Sequence, residues 1–150
     1  MGHNNHTPEW IGDLFKNEKV TCPDGSRWKF DEKISEKSFV FDGYDDEIIG
    51  ESQVVYHCHQ VKGPSVGMEA IVKIRMQVPA KYPASPDPWV RAREALVDKV
   101  AAPTAQEIET LKYLTEKSCT VAPHLIHYIN SSQLTYMPIP NGYLVLLIME

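Results

Sequence analysis

Apolar residues along this chain gather in short clusters separated by turn-forming residues, the pattern of a strand-rich domain with few helices. Trp10, Ile11, Leu14 and Phe15 recur at helical spacing behind Thr7-Pro8-Glu9, where a hydroxyl cap and a first-turn proline predict a short opening helix. Val20 to Cys22 and Arg27 to Phe30 flank Pro23-Asp24-Gly25-Ser26, whose proline presets φ and whose glycine accepts positive φ, so a hairpin is predicted there. Further strands are predicted at Phe39 to Phe41, Glu47 to Ile49, Val54 to Val61 and the alternating run Ala70 to Val78. The proline-rich stretch Pro79 to Pro88 suits neither a helix interior nor a central strand and reads as a loop. Two helices are then expected, over Trp89 to Val100 and from Thr104 to Lys117, with Pro103 between them and Ile108, Leu111, Leu114 and Thr115 facing inward. Leu125 to Asn130 and Tyr143 to Met149 close the series as strands. Strands, a helix pair and two more strands define an α+β fold on a mostly antiparallel sheet. The last strand is the most apolar and is followed at once by Glu150, an ending that looks cut and predicts exposed apolar surface around Leu144 to Met149.

Composition narrows the function classes. A chain of 150 residues with 43% hydrophobic residues is large enough for one folded domain and too apolar for a disordered one. Its net charge of -5 supplies no basic stripe to neutralise phosphates along a duplex, which argues against nucleic-acid binding. No apolar run approaches the roughly 20 residues of a spanning helix, and the polar start Met1 to Glu9 lacks a signal peptide's apolar core, so no membrane partner is expected. Cys22, Cys58 and Cys119 are odd in number and widely spaced, which predicts free thiols in a reducing, cytoplasmic or nuclear compartment. The sequons at Asn5 and Asn130 are then idle, and His6 stands where a myristoylation signal from Gly2 needs a hydroxyl.

The chemistry centres on Ala70-Ile71-Val72-Lys73-Ile74-Arg75-Met76, where alternation puts Ile71, Lys73 and Arg75 on one sheet face and Val72, Ile74 and Met76 on the other. Taken alone, Lys73 reads as a solvent-facing strand lysine. Other groups carry bland readings too. His57 and His59 share a strand face but lack a second ligand pair for zinc. Asp42, Asp45, Asp46 and Glu47 surround Gly43 without the ligand order of a calcium loop. His3 and His6 sit in the polar start, His124 and His127 flank a turn without a nucleophile nearby, and Arg91 to Lys99 mixes charges as a solvent face does.

Four segments in order carry a resemblance: Ile48 to Cys58, Ala70 to Ile74, Glu107 to Leu114, and Tyr143 to Glu150. Together they resemble the amino-terminal lobe of a protein-kinase-like domain, in particular divergent fungal kinase-like proteins close to aminoglycoside-phosphotransferase relatives. The helix of those proteins reads much like Glu107 to Leu114 and is followed by a cysteine and a proline, as at Cys119 and Pro123. The resemblance implies a kinase-like lobe over 47–150 preceded by a helix-and-hairpin extension over 1–46. It implies that Lys73 contacts the α- and β-phosphates of ATP and that Glu107 pairs with it from the helix. It also implies that Gly50 lies in the phosphate loop, that Val55 roofs the adenine, that Met149 is the gatekeeper and that Glu150 begins the hinge. Ile48 and Gln53 depart from the loop's glycine pattern, and Ile71 is bulkier than the small residue expected two before the lysine.

A competing reading makes Thr104-Ala105-Gln106-Glu107 a capping box in which Glu107 returns to the backbone of Thr104; Glu109 points about 200° further round the helix and is the lesser partner for Lys73. The base and the magnesium-holding residues of a kinase come from a second lobe, and no His-Arg-Asp or Asp-Phe-Gly triplet occurs here, so magnesium and phosphoryl transfer are expected only with such a lobe supplied. The alternative is a non-catalytic module of pseudokinase type that engages a protein partner. An unrelated α+β domain with chance matches remains a third reading.

Overall fold

The computed structural model describes residues 9–43, 47–81, 83–96 and 98–150. Strands β1 (Lys19–Thr21), β2 (Arg27–Asp42), β3 (Ile48–Lys62), β4 (Glu69–Val78), β5 (Leu125–Ser132) and β6 (Tyr143–Met149) form one sheet in the order β1-β2-β3-β4-β6-β5. Every neighbouring pair is antiparallel. Between β4 and β5 come a short helix α1 (Pro88–Arg91), a 3₁₀ turn (Ala92–Glu94) and the principal helix α2 (Ala102–Glu116). The expected α+β class with an antiparallel sheet is what the chain adopts.

Side-chain alternation sorts the apolar residues onto two faces. On one face Val54, Tyr56, Val72, Ile74, Leu146 and Ile148 pack with Trp28 and Phe30. On the other, Ile49, Val145, Leu147 and Met149 pack under Ile108 and Leu111 of α2. The sheet curls into a half-barrel. Trp28 on β2 reaches His127 on β5 with ring centroids 6.2 Å apart, and the Trp28 indole N–H donates to Ser26 Oγ, which lies 3.3 Å from His127 Nε2.

The β1–β2 turn forms as its sequence predicts: Gly25 has φ +86°, and Asp24 Oδ1 accepts from the Ser26 N–H at 2.9 Å. Four expectations need correction. The opening segment is a series of turns instead of a helix: Gly12 and Asn17 take positive φ, and Leu14 and Lys16 donate to carbonyls three residues back. The Glu36 carboxylate accepts the Ile11 and Gly12 N–H groups at 3.0 and 2.9 Å and holds the segment on the core, where Phe15 meets Phe30 edge to face. The expected cap at Thr7-Pro8 lies outside the described residues.

Second, β2 and β3 each run unbroken through polar residues. Glu32 to Lys37 belong to a 16-residue strand that absorbs its irregular pairing in bulges next to Lys33. Glu51 to Gln53 pair with β2 on one side and β4 on the other.

Third, Trp89 to Val100 is helical only at its start, where the Asp87 carboxylate caps the Trp89 N–H at 2.9 Å. Beyond Glu94 the buried Gln77 side chain of β4 takes over the backbone, accepting from the Leu96 N–H at 2.9 Å and donating to the Glu94 carbonyl at 2.6 Å. Arg91, expected on a solvent face, donates to the Pro138 and Ser85 carbonyls at 2.7 Å. Finally, Leu144 to Met149 are buried between β4 and β5, not exposed. No helix among the described residues is long and apolar enough to cross a membrane.

Candidate functional site

Lys73 and Arg75 project from the α2 side of β4, as the alternation requires. Lys73 lies in register between Val55 of β3 and Leu147 of β6, and Arg75 between Gln53 and Val145. Helix α2 lays Ile108 and Leu111 onto the same face, which leaves Glu107 at the margin of its apolar stripe. There the Lys73 ammonium donates to Glu107 Oε2 at 3.0 Å, and the Arg75 guanidinium donates to Glu107 Oε1 at 2.9 Å. One carboxylate thus bridges two cations, one oxygen each.

The capping-box alternative is overturned. Helix α2 starts earlier than expected, with Ala101 at the cap position and Pro103 inside its first turn, because proline's fixed φ and missing N–H suit a helix start. Thr104 is therefore helical, and its hydroxyl donates to Glu51 of β3. Glu109 is exposed.

Lys73 and Glu107 keep 30% and 28% of their side-chain surface exposed, whereas Arg75 keeps 8%. This difference decides their roles. Arg75 is a buried charge neutralised by Glu107, and its Nε has no hydrogen-bond partner among the described residues. Lys73 is reachable from solvent, and Glu107 accounts for one of its three N–H donors. Burial alone raises the Glu107 carboxyl pKa, but the Arg75 and Lys73 cations and their hydrogen bonds outweigh it and hold the pKa below the ordinary glutamate value. The group stays ionised at neutral pH, and the trio carries a net single positive charge at a partly exposed position. Chemically it is two cations against one carboxylate, one cation anchored and one deployable, a charge balance suited to an anion.

The other expected site residues divide. Val55 is half-buried beside Lys73 on the same face. Met149 is buried and sits across from Ile71, with both packed into the core under α2. Glu150 is exposed just past β6, its N–H donating to the His124 carbonyl at 3.0 Å. Gly50 is the correction. It lies inside β3, buried and paired with Val40 and Val78, not in a loop. A Cβ there would stand 2.4 Å from the Val78 carbonyl oxygen, so the absent side chain permits close strand approach.

Two functional-looking residues were missed. Arg75 carried a signal, since it shares Lys73's face two residues on. Glu51 carried none, because between Gly50 and Ser52 it reads as loop polarity; it is fully buried.

Of the remaining candidates, His3 and His6 lie outside the described residues. His57 is exposed, and His59 pairs with Asp31 at 2.7 Å. No group of three His, Cys, Asp or Glu suited to a metal occurs among the described residues. Asp45 and Asp46 of the acidic cluster lie outside them. Burial pushes the Cys58 thiol up to about 12, so it is inert as a nucleophile at neutral pH. A cavity of about 340 Å³ lined by Tyr128, Asn130 and Asn141 does not reach the Lys73–Glu107 pair.

No protein-family model, no curated protein and no solved structure matches this chain.

Proposed function

We propose that this chain is a lobe of the protein-kinase-like type that holds the phosphates of ATP through Lys73 and transfers no phosphate by itself. The observation that carries the reading is the 3.0 Å contact between the Lys73 ammonium and the Glu107 carboxylate. The pair joins a central strand to the helix that follows it, the arrangement by which kinases orient a phosphate-binding lysine. The order of elements supports it as well. The lysine strand closes the β2–β3–β4 meander, the glutamate helix follows after the short α1 and its 3₁₀ turn, and β6 returns beside the lysine strand. Arg75 adds a physical reason why the site works as an anion trap. When Lys73 swings to a phosphate, Glu107 keeps the guanidinium as a partner, so no carboxylate is stranded.

A second reading, a non-catalytic interaction module, is favoured by two observations. Gly50 is committed to strand packing, and Ile71 and Met149, which the resemblance sets beside the adenine, are packed into the core under α2.

Thermal unfolding with Mg-ATP separates the two. At a concentration about ten times Kd, linkage gives about 1.4 kcal/mol. For a chain of this size that is a rise of about 3–6 °C in Tm. Lys73→Ala, at a partly exposed position, is expected to fold and to lose the rise. A wild-type protein with no rise at millimolar Mg-ATP supports the interaction module, and an equal rise in the variant removes Lys73 from the site.

A further inference from the structure

The Glu51 carboxylate is fully buried, yet none of its hydrogen-bond donors among the described residues is a cation. Thr104 Oγ1 of α2 lies 2.7 and 2.6 Å from its two oxygens, the Tyr143 hydroxyl of β6 donates to Oε2 at 2.6 Å, and the Gln53 amide donates to Oε1 at 2.8 Å. Burying a carboxyl group without a cation beside it is costly, and an apolar residue of similar volume is generally the more stable choice. The retained carboxylate therefore calls for a geometric role.

Helix α2 supplies the reason. Its cap residue Ala101 makes no side-chain hydrogen bond, so the usual device that fixes a helix start is missing. Thr104 in the first turn is instead pinned to the sheet, and a carboxylate there also meets the favourable end of the helix dipole. Glu107 follows Thr104 by three residues and so stands on the same side of the helix. A small rotation of the first turn would carry Glu107 off Lys73. At the far end, the Thr115 hydroxyl accepts the Leu125 N–H at 2.8 Å, which holds α2 to the start of β5 but lies two turns from the pair.

We infer that Glu51 is a positioning residue for the site: its buried carboxylate clamps Thr104 and so sets α2 at the rotation in which Glu107 faces Lys73 and Arg75. The consequence for nucleotide binding rests on the ATP reading above; the positioning itself does not. Tyr143 completes the clamp. Burial and the adjacent carboxylate push its hydroxyl far up, so it stays protonated and donating at any pH the protein meets.

The test reads the pair directly. In protein carrying ¹³C at the glutamate side-chain carboxyl, the Glu107 titration midpoint in the wild type lies below that of an ordinary glutamate. Thr104→Val removes the hydroxyl at nearly constant volume, and Thr104→Ser keeps it. Thr104→Val and Glu51→Gln are expected to raise the midpoint toward the ordinary value, and Thr104→Ser to leave it in place. Mg-ATP affinity is expected to fall about tenfold in the first two and to hold in the third. An unmoved midpoint in folded Thr104→Val overturns the inference, as does a Thr104→Ser midpoint raised as far as the valine variant's, which would assign the effect to lost methyl packing. Should Glu51→Gln fail to fold, the Thr104 pair decides alone. A midpoint that moves as expected in a protein that binds no Mg-ATP leaves the positioning role standing and removes the ATP reading.

Discussion

Gly50→Ala is expected to destabilise the fold by about 3 kcal/mol, the upper range for overpacking a close contact. The new Cβ would fall 2.4 Å from the Val78 carbonyl oxygen and 2.9 Å from that of Pro79. Both are backbone atoms, which cannot swing aside as a flexible side chain does. Relief requires β3 and β4 to separate at the end of the ladder where Gly50 pairs with Val78 and Val40. Gly25→Ala gives the contrast. Beyond its chain neighbours, no atom of the described residues lies within 4 Å of a Cβ placed there, but φ is +86°, so strain alone acts and the cost is about 1 kcal/mol. Urea unfolding of both variants checks the ranking. A Gly50→Ala protein as stable as the wild type but weaker in Mg-ATP binding would return Gly50 to the phosphate-loop role that the sequence resemblance implies.

That position shows where sequence reading fails. A glycine followed by Glu51, Ser52 and Gln53 has the composition of a turn, and local polarity is the signal by which loops are read. The segment is a strand because long-range pairing on both sides satisfies its backbone, and Glu51 and Ser52 find partners in Thr104, Tyr143 and Ser38 that lie far off in sequence. Glu32 to Lys37 were illegible for the same reason: charges alternate there with Ile34 on a strand paired with β3 along one edge. In the opposite direction, Trp10, Ile11, Leu14 and Phe15 keep a helical spacing and do pack on the core, yet Gly12 and Asn17 adopt conformations no helix accepts, and Glu36 supplies the hydrogen bonds a helix would have made.

What was legible rested on strict periodicity. In β4 the pairing runs without a bulge on either side, so the face of Lys73 followed from the period of two alone. In α2 the apolar spacing fixed which side meets the sheet, and with it the placement of Glu107 at the margin and Glu109 outside. The start of α2 was misread because Thr104 has the composition of a cap, while Pro103 is equally at home one position into a helix. The decision between them was made by Glu51, whose carboxylate accepts the Thr104 hydroxyl and leaves Glu107 for the cations.

Glu107→Gln is the second large effect, and its size is set by Arg75 more than by Lys73. Removing the carboxylate leaves a guanidinium whose side chain is only 8% exposed without its counter-charge. Breaking a fully buried pair from one side costs about 3–5 kcal/mol. Glu107 itself is 28% exposed, so solvent screening reduces the expected loss to about 2 kcal/mol at neutral pH. The loss has a pH signature. The folded-state pKa of Glu107 is held below the unfolded value of about 4.3, so between the two the unfolded chain binds more protons. The carboxylate's contribution is therefore complete above the unfolded pKa and disappears as pH falls through the folded one. Asp24, lowered by its bonds from Ser26, titrates in the same sense but is solvent-exposed and remains in the variant. Urea midpoints measured from pH 7 down to about pH 2.5 should show Glu107→Gln with a lower plateau and a flatter acid limb. In an Arg75→Met background no guanidinium is stranded, and the same substitution should cost less than about 1 kcal/mol. An unchanged cost in that background would mean that Glu107 acts through Lys73 or through packing, and the division into one anchored and one deployable cation would fail.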